Sequence, residues 1–182
     1  MKIWFAAAVT VAFAALSLPA YADMTVKSQD GSMELQLPNG WHEGKPEGPL
    51  AKIVAADGRG SRVVVRVYPK EDFKDAKAAA NFTIAKLKLL DSDGQKTEDV
   101  QVSGKPGVRI NVTGTQASGM RAGYVITVFE ADGTYVNVTG KSDASSFAKQ
   151  AQVLAAFATQ LKVSPVAAAN SATPKPQAPA AK

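Results

Sequence analysis

Three consecutive runs of alternating residues constrain the fold of this 182-residue chain more than any other feature. Residues 108–114, 122–130 and 134–140 alternate with a period of two and are rich in β-branched and aromatic side chains, which is typical of half-buried antiparallel strands. Asp132-Gly133 provides a tight turn between the second and third runs. The three strands are expected to present one strongly apolar face, which another layer must cover.

Two segments carry apolar side chains at helical spacing, and they lie just before and just after these strands. Residues 72–90 present the stripe Phe73, Ala76, Ala80, Ile84 and Leu87, and residues 144–161 present the stripe Phe147, Ala151, Leu154, Ala158 and Leu161. Further strands are predicted at residues 24–26, 32–38, 50–55, 61–68 and 97–102. The sequence therefore predicts an α+β fold, a central antiparallel β-sheet packed by two main helices.

The first 22 residues are expected to form a signal peptide that is not part of the fold. Lys2 supplies the positive charge, residues 3–18 form an apolar run, and Ala20-Tyr21-Ala22 matches a cleavage site, so the mature chain should begin at Asp23. The alternative is an uncleaved membrane anchor, but the run is short for a bilayer span of about 20 apolar residues. We therefore expect a periplasmic or secreted protein of bacterial type, cleaved after Ala22.

The chain contains no cysteine, which excludes disulfides, thiolate metal sites and lipid attachment. No stable membrane anchor is thus expected after cleavage. Residues 23–163 should form a single α+β domain stabilised by its own core. Residues 164–182 should form a disordered Ala/Pro/Lys tail, because no large apolar residue follows Val166.

The charge of the chain gives no argument for nucleic-acid binding. Loss of Lys2 with the signal peptide lowers the formal net charge from +5 to +4, and Lys162, Lys175 and Lys182 lie at or beyond the end of the last helix. The remaining domain is close to neutral, and it has no blocks of basic residues with interleaved aromatics.

The residues with catalytic or metal-binding chemistry are few. His42 is the only histidine, so a hydrolase would have to combine it with nearby carboxylates, and no nucleophile motif is present. Residues 91–99 contain four carboxylates, but their spacing departs from a calcium loop and favours a solvated loop between helix and strand. Asp91, Asp93, Glu98 and Asp99 remain weak metal candidates; no cofactor and no catalytic residue are assigned.

The polar face of the predicted sheet is the best candidate for binding. Six side chains are expected to stand opposite the apolar positions of their strands, and they are Arg62, Arg66, Tyr68, Arg109, Asn111 and Asn137. Guanidinium groups on such a platform suit an acidic partner segment or an anionic ligand. The alternative is that the face is simply solvated, as one face of an antiparallel sheet commonly is.

Several landmarks along the chain resemble those of a known group. Residues 35–41 form a strand that ends in Pro-Asn-Gly-Trp, residues 61–68 lead into the first helix, and residues 104–107 read Gly-Lys-Pro-Gly. Tyr124 and Tyr135 follow in the next strands, before a closing helix that begins near Ser146-Phe147. This order resembles the PsbP-like superfamily, which includes the PsbP subunit of photosystem II, a Ran-binding nuclear transport factor and bacterial periplasmic DcrB-like proteins. The DcrB-like branch is nearest in style, although its lipid-attachment cysteine is missing here.

The resemblance spans roughly residues 32–163, and it implies an α/β/α sandwich with a non-enzymatic adaptor or assembly role. We therefore expect an exported binding or assembly-assisting module whose partner is another protein of the cell envelope. The alternatives are a carrier of a small ligand or a calcium-type metal ion and, with less support, a hydrolase that uses His42.

Overall fold

The computed structural model describes residues 21–164, which contain ten strands and two α-helices. The strands are β1 (Tyr21–Lys27), β2 (Met33–Pro38), β3 (His42–Glu43), β4 (Ala51–Ala56), β5 (Arg62–Pro69), β6 (Asp91–Val102), β7 (Lys105–Thr115), β8 (Arg121–Ala131), β9 (Thr134–Asp143) and β10 (Lys162–Val163). The helices are α1 (Ala76–Leu87) and α2 (Ala144–Gln160). The predicted signal peptide, except for its last two residues, and the predicted tail after Ser164 lie outside the described residues.

The strands form two antiparallel sheets. The large sheet has seven strands in the order β3-β4-β5-β9-β8-β7-β6, and the small sheet has the order β1-β2-β10. The predicted turn at Asp132-Gly133 is confirmed, because both residues have positive φ, at 49° and 74°, and join β8 to β9. Neither helix in residues 21–164 is long and apolar enough to cross a membrane.

Each face of the seven-stranded sheet carries its own apolar core. On the side that we call the α2 face, Phe129 and Val136 pack with Leu154 and Phe157 of α2 and with the small sheet. On the opposite side, the α1 face, the core is formed by the buried residues Val108, Ile110, Val112, Ile126, Val128, Ala79 and Ala80. The α+β fold, with a central antiparallel sheet between two helices, is confirmed.

The expectation that the three central strands share one apolar face is wrong. The register pairs Ile126 with Ile110 on β7 and with Thr139 on β9, and directly paired residues lie on the same face of a sheet. Ile110 therefore lies on the α1 face, whereas Val138, one position from Thr139, lies on the α2 face. The pairing register of each strand thus determines which of its alternating side chains enter the core of the α1 face and which enter the core of the α2 face.

Helix α1 is shorter at both ends than the predicted residues 72–90. A short 3₁₀ turn, Lys70–Asp72, follows β5, and the helix begins after Asp75, whose side chain accepts a hydrogen bond from the Ala78 N–H at 2.7 Å. The helix ends at Leu87, and Lys88 takes a left-handed conformation at φ 49°. Four members of the predicted stripe lie on α1, whereas Phe73 precedes it in extended backbone, and all five pack in or against the core of the α1 face.

The segment predicted as a solvated loop at residues 91–99 lies instead within β6, which begins at Asp91. Its polar side chains are exposed, but its backbone pairs with β7, and a bulge lies between Asp93 and Lys96. Asp91 accepts from the Thr115 N–H at 2.8 Å, and the Asp93 carboxylate accepts a hydrogen bond from Thr113 Oγ1. Pairing with a neighbouring strand has overridden a local sequence that favours turns.

Candidate functional site

The six residues predicted to form one binding platform lie on two different faces of the sheet. Arg66 pairs with Asn137, and Asn137 pairs with Val128, which belongs to the core of the α1 face. Arg109 pairs with Thr127, the neighbour of Val128 in sequence, so it lies on the α2 face. The α1 face thus holds Arg62, Arg66, Tyr68 and Asn137, and the α2 face holds Arg109 and Asn111.

Arg109 and Asn111 do not form an open acceptor-binding surface. The Arg109 guanidinium lies 3.5 Å from Oε1 of Glu98, and its Nε donates to Thr127 Oγ1 at 3.4 Å. The Asn111 Oδ1 atom is buried without a hydrogen-bond partner among the described residues. These two residues therefore stand apart from the other four.

Tyr68 and Asn137 lie beneath α1 and are buried. The Asn137 Nδ2 donates to Thr83 Oγ1 of α1 at 2.7 Å, and its Oδ1 accepts from Thr139 Oγ1 at 2.6 Å. Thr83 Oγ1 in turn donates to the Ala79 carbonyl at 3.0 Å. The hydrogen bond from Asn137 therefore connects the sheet to α1, and the Asn137 side chain is not accessible to a partner.

Arg62 and Arg66 remain at the surface, on a part of the α1 face of the sheet that helix α1 does not cover. A depression lies between α1 and residues 44–50. The Gly44 N–H donates to the Val54 carbonyl at 2.8 Å, and Gly48, Pro49 and Leu50 line the depression on the side opposite α1. We call this depression the basic groove. Arg62 and Arg66 are four residues apart along β5, so they span about 13 Å of it.

The basic groove has two adjoining compartments. The apolar compartment, of about 470 Å³, includes Pro49, Leu50, Ala51, Tyr68 and Phe82. The cationic compartment, of about 280 Å³, includes Arg62, Val64, Gln116, Tyr124 and Lys141. The two compartments share Arg66, Lys86, Leu87 and Thr139.

Three of the four cations of the basic groove lack an acidic partner. Arg62 lies 3.4 Å from the exposed carboxylate of Glu47, but Arg66, Lys86 and Lys141 form no ion pair with residues 21–164. The Lys86 Nζ instead lies 5.0 Å from the Phe82 ring centroid. The groove therefore has a positive potential that attracts acidic groups.

Tyr124 and Gln116 shape the far end of the cationic compartment. The Gln116 side-chain amide donates to the Tyr124 hydroxyl, and the Gln116 Oε1 accepts from Lys141 Nζ at 3.4 Å. Burial raises the pKa of Tyr124, and the hydrogen bond from Gln116 offsets this only in part. The phenol thus stays neutral around pH 7 and adds no negative charge to the groove.

The four carboxylates of the weak metal candidate are spread along β6. Asp93 and Glu98 pair with Thr113 and Arg109, which are four residues apart, or about 13 Å along the strand. Asp99 pairs with Val108 on the α1 face, away from the others. Within residues 21–164, no three His, Cys, Asp or Glu side chains group as ligands of a metal ion would.

His42 lies exposed on the two-residue strand β3, which pairs with β4. The strands predicted from the sequence do not include residues 42 and 43, so this short strand is a correction. His42 lines neither compartment of the basic groove.

Sequence reasoning missed Lys86 and Lys141 as members of the site. Lys141 continues the alternation of Asn137 and Thr139 along β9, so the signal was present. Lys86 follows Phe82 by four residues on α1, a spacing that places two side chains on the same side of a helix. Neither pattern says that these elements meet beside β5.

A scan of protein-family models and a search among curated proteins found no match to this chain. Solved structures do match. The cyanobacterial PsbP (CyanoP) from Synechocystis sp. PCC 6803 superposes with a TM-score of 0.59 at 13% identity, over 82% of this chain and 95% of its own. The chain has the PsbP/Mog1-like fold.

Two further structures share this PsbP/Mog1-like fold. The Ran-binding protein Mog1p of Saccharomyces cerevisiae matches with a TM-score of 0.58 at 14% identity, over 79% of this chain and 96% of its own. LpqN of Mycobacterium tuberculosis, described as involved in cell envelope biogenesis, matches with a TM-score of 0.54 at 11% identity, over 78% and 90%. The resemblance found in the sequence is therefore confirmed as a shared fold, and the DcrB-like branch stays a prediction.

Proposed function

We propose that this protein is an exported, non-enzymatic binding or assembly module that receives an acidic segment of a cell-envelope protein in its basic groove. The observation that carries this proposal is the set of three cations, Arg66, Lys86 and Lys141, that lack acidic partners in residues 21–164 although they converge on one concave surface. A partner carboxylate placed there would gain charge-assisted hydrogen bonds, and Arg66 offers a planar fork for two of them.

A binding role accords with the composition of the groove. Its polar members are Arg, Lys, Thr, Gln and Tyr, most of which bind anions well, together with the single carboxylate of Glu47, and they include no histidine or thiol to transfer a proton or attack a substrate. His42 and the carboxylates of β6 lie elsewhere, so the groove supplies none of the pairs on which a hydrolytic mechanism depends.

The proposed location and partner class draw on the signal-like N-terminus and on the fold. Lys2, the apolar run and Ala20-Tyr21-Ala22 are typical of export. Among the structures with this fold, Mog1p is named a Ran-binding protein and LpqN is described as involved in cell envelope biogenesis. A protein-binding role in the cell envelope is compatible with both.

The export step is tested by intact mass. Expression of the full chain in a bacterium should release a periplasmic or secreted product that begins at Asp23. Retention of Met1 in the membrane fraction would contradict export and cleavage.

The groove is tested by a charge-matched comparison. Arg66→Gln/Lys141→Gln removes two groove cations, and Lys96→Gln/Lys149→Gln removes two exposed cations that lie outside the groove. Tagged wild-type protein and the control should recover the same partner from periplasmic extract, whereas the groove variant should lose it. If a folded groove variant recovers that partner as well as the wild type does, the groove is only a solvated surface.

A further inference from the structure

We infer that the occupant of the basic groove is an acidic peptide segment that carries an apolar side chain next to its carboxylates. This inference rests on the proposed function and adds the chemistry of the partner segment. The evidence is the order of the two compartments, the carboxylate that the protein itself places on Arg62, and the distribution of exposed apolar side chains.

The apolar compartment is suited to one side chain of a partner. The Tyr68 and Phe82 rings meet edge to face with centroids 6.0 Å apart, and Pro49 and Leu50 of the opposite wall face them. Leu50 and Phe82 are 43% and 39% exposed, which is a large exposure for apolar side chains that face each other across a depression. An apolar anchor in this compartment would remove both from water.

The cationic compartment begins where the apolar one ends. Arg66 and Lys86 line both, and Arg62 and Lys141 extend the positive charge away from the apolar part. A ligand that fills both compartments must therefore carry its apolar group and its negative charges side by side. At about 470 and 280 Å³, the two compartments together are too large for a lone inorganic anion and fall in the range of organic ligand sites.

Glu47 lines the apolar compartment and places a carboxylate of the protein itself beside Arg62 of the cationic compartment. It belongs to the wall formed by residues 44–50, and its carboxylate lies 3.4 Å from the Arg62 guanidinium while its side chain is 80% exposed. Such an exposed pair is weak, so a partner carboxylate can replace it. Glu47 is thus a resident competitor for the ligand and a chemical stand-in for it.

Two more exposed apolar residues lie where a longer segment would leave the groove. The Leu90 N–H donates to the Thr115 carbonyl, and the Gln116 N–H donates to the Met120 carbonyl, so Leu90 and Met120 flank Gln116 at the end of the cationic compartment. They are 71% and 57% exposed. A peptide can follow this path. A flat lipid surface cannot reach Thr139, which lines both compartments between the two walls of the groove.

The test is calorimetric titration with three blocked peptides. The first has one phenylalanine followed by three glutamates, the second has serine in place of the phenylalanine, and the third has glutamines in place of the glutamates. The wild-type protein should bind the first peptide, and each of the other two about tenfold more weakly or not at all.

Protein variants assign each half of the peptide to its compartment. Arg66→Gln/Lys141→Gln should weaken binding of the first peptide about tenfold, and Leu50→Ser should weaken it while leaving the serine peptide unaffected. Glu47→Gln should tighten binding severalfold, a gain that misfolding cannot produce. Lys96→Gln/Lys149→Gln is the control and should change nothing.

Several outcomes would overturn the inference: equal binding of all three peptides, binding of none, or no effect of Glu47→Gln. Cosedimentation with phosphatidylglycerol vesicles that depends on the same cations, without peptide binding, would identify a membrane surface instead. If partner recovery from extract needs the groove cations but the phenylalanine–glutamate peptide does not bind, the proposed function stands and only this peptide chemistry fails.

Discussion

Gly123 and Phe147 fit together where α2 crosses β8, and any other residue at position 123 would force the Phe147 ring to shift. A Cβ atom at position 123 would overlap the Phe147 ring at its Cγ and both Cδ atoms. The Phe147 ring is only partly buried and packs against the core of the α2 face, whereas Phe157 is fully buried and meets Trp41 at 4.7 Å. The phenylalanine that fills the centre of this core is therefore Phe157.

We predict that Gly123→Ala lowers the free energy of unfolding by about 1–3 kcal/mol, because the new methyl group forces the Phe147 ring to move. Phe147→Ala should cost less than the 3–5 kcal/mol typical of a fully buried phenylalanine, and Phe157→Ala should reach that range. The double variant Gly123→Ala/Phe147→Ala should be more stable than the sum of the two single changes implies. Urea unfolding of the four proteins measures this coupling, and strict additivity would contradict the contact.

The pairing of Asp30 with Lys52 makes the stability of the domain depend on pH. The Lys52 ammonium at 2.8 Å, together with hydrogen bonds from Ser32 and Ser28, holds the pKa of Asp30 well below its usual range. A carboxyl group whose pKa is lowered on folding stabilises the native state above its unfolded pKa of about 3.9, and this contribution is lost as the pH falls towards the folded pKa.

We therefore predict that Asp30→Asn lowers the free energy of unfolding by about 1 kcal/mol at pH 7, a modest value because the carboxylate is more than one-third exposed and water screens the pair. The difference from the wild type should stay constant between about pH 5 and 8 and shrink below about pH 4. Denaturant unfolding across that range is the measurement. A difference that grows on acidification would have the wrong sign.

At the scale of elements, the two helices begin in different ways. Asp75 caps α1 through its side chain, which accepts from the Ala78 N–H at 2.7 Å. Asp143 stands at the same position of α2 but makes no side-chain capping bond, and its carboxylate lies beside Gly60 instead. The two aspartates are therefore a matched pair for measuring what the cap contributes.

We predict that Asp75→Ala lowers the free energy of unfolding by about 1 kcal/mol, within the range of 0.5–2 kcal/mol for loss of an N-cap. Asp143→Ala should cost clearly less, because it removes no capping bond. Thermal and urea unfolding of both variants give the comparison. Equal losses at the two sites would contradict the assignment of the cap to Asp75.

At the scale of the whole molecule, the small sheet joins the two ends of the domain. The strand β10 pairs with β2, which also pairs with β1, and the Ser164 N–H donates to the Ser32 carbonyl at 2.9 Å. Leu161, just before β10, is buried in the core of the α2 face. The last residues of the described part therefore contribute to the stability of the fold.

Two truncations test where the folded domain ends. Deletion of residues 165–182 should leave the melting temperature nearly unchanged, because that segment has no apolar periodicity. Deletion of residues 161–182 should lower it by several degrees, because it removes Leu161 and the β10 pairing. Calorimetry of both proteins is the check, and unfolding of the longer protein would overturn this division.

The sequence by itself determined the elements whose signals are local. Alternation, helical spacing and turn chemistry predicted the central strands, the stripes of both helices and the Asp132-Gly133 turn, because each depends on residues close together in the chain. The same patterns, taken in order, carried the resemblance to PsbP. They also placed Arg62 and Arg66 on one face of one strand.

Only the tertiary structure decided what depends on partners distant in the chain. Whether Arg109 and Arg66 lie on the same face of the sheet depends on three successive pairing registers, those of β5 with β9, β9 with β8 and β8 with β7. A shift of one residue in any of them would move Arg109 to the face that holds Arg66. Asn137 is polar, but it is buried because Thr83 of α1 meets it there. Residues 91–94 are a strand because β7 offers a partner. The basic groove exists because α1 stops short of β4 and residues 44–50 form the other wall, and neither position is encoded within a short window of sequence.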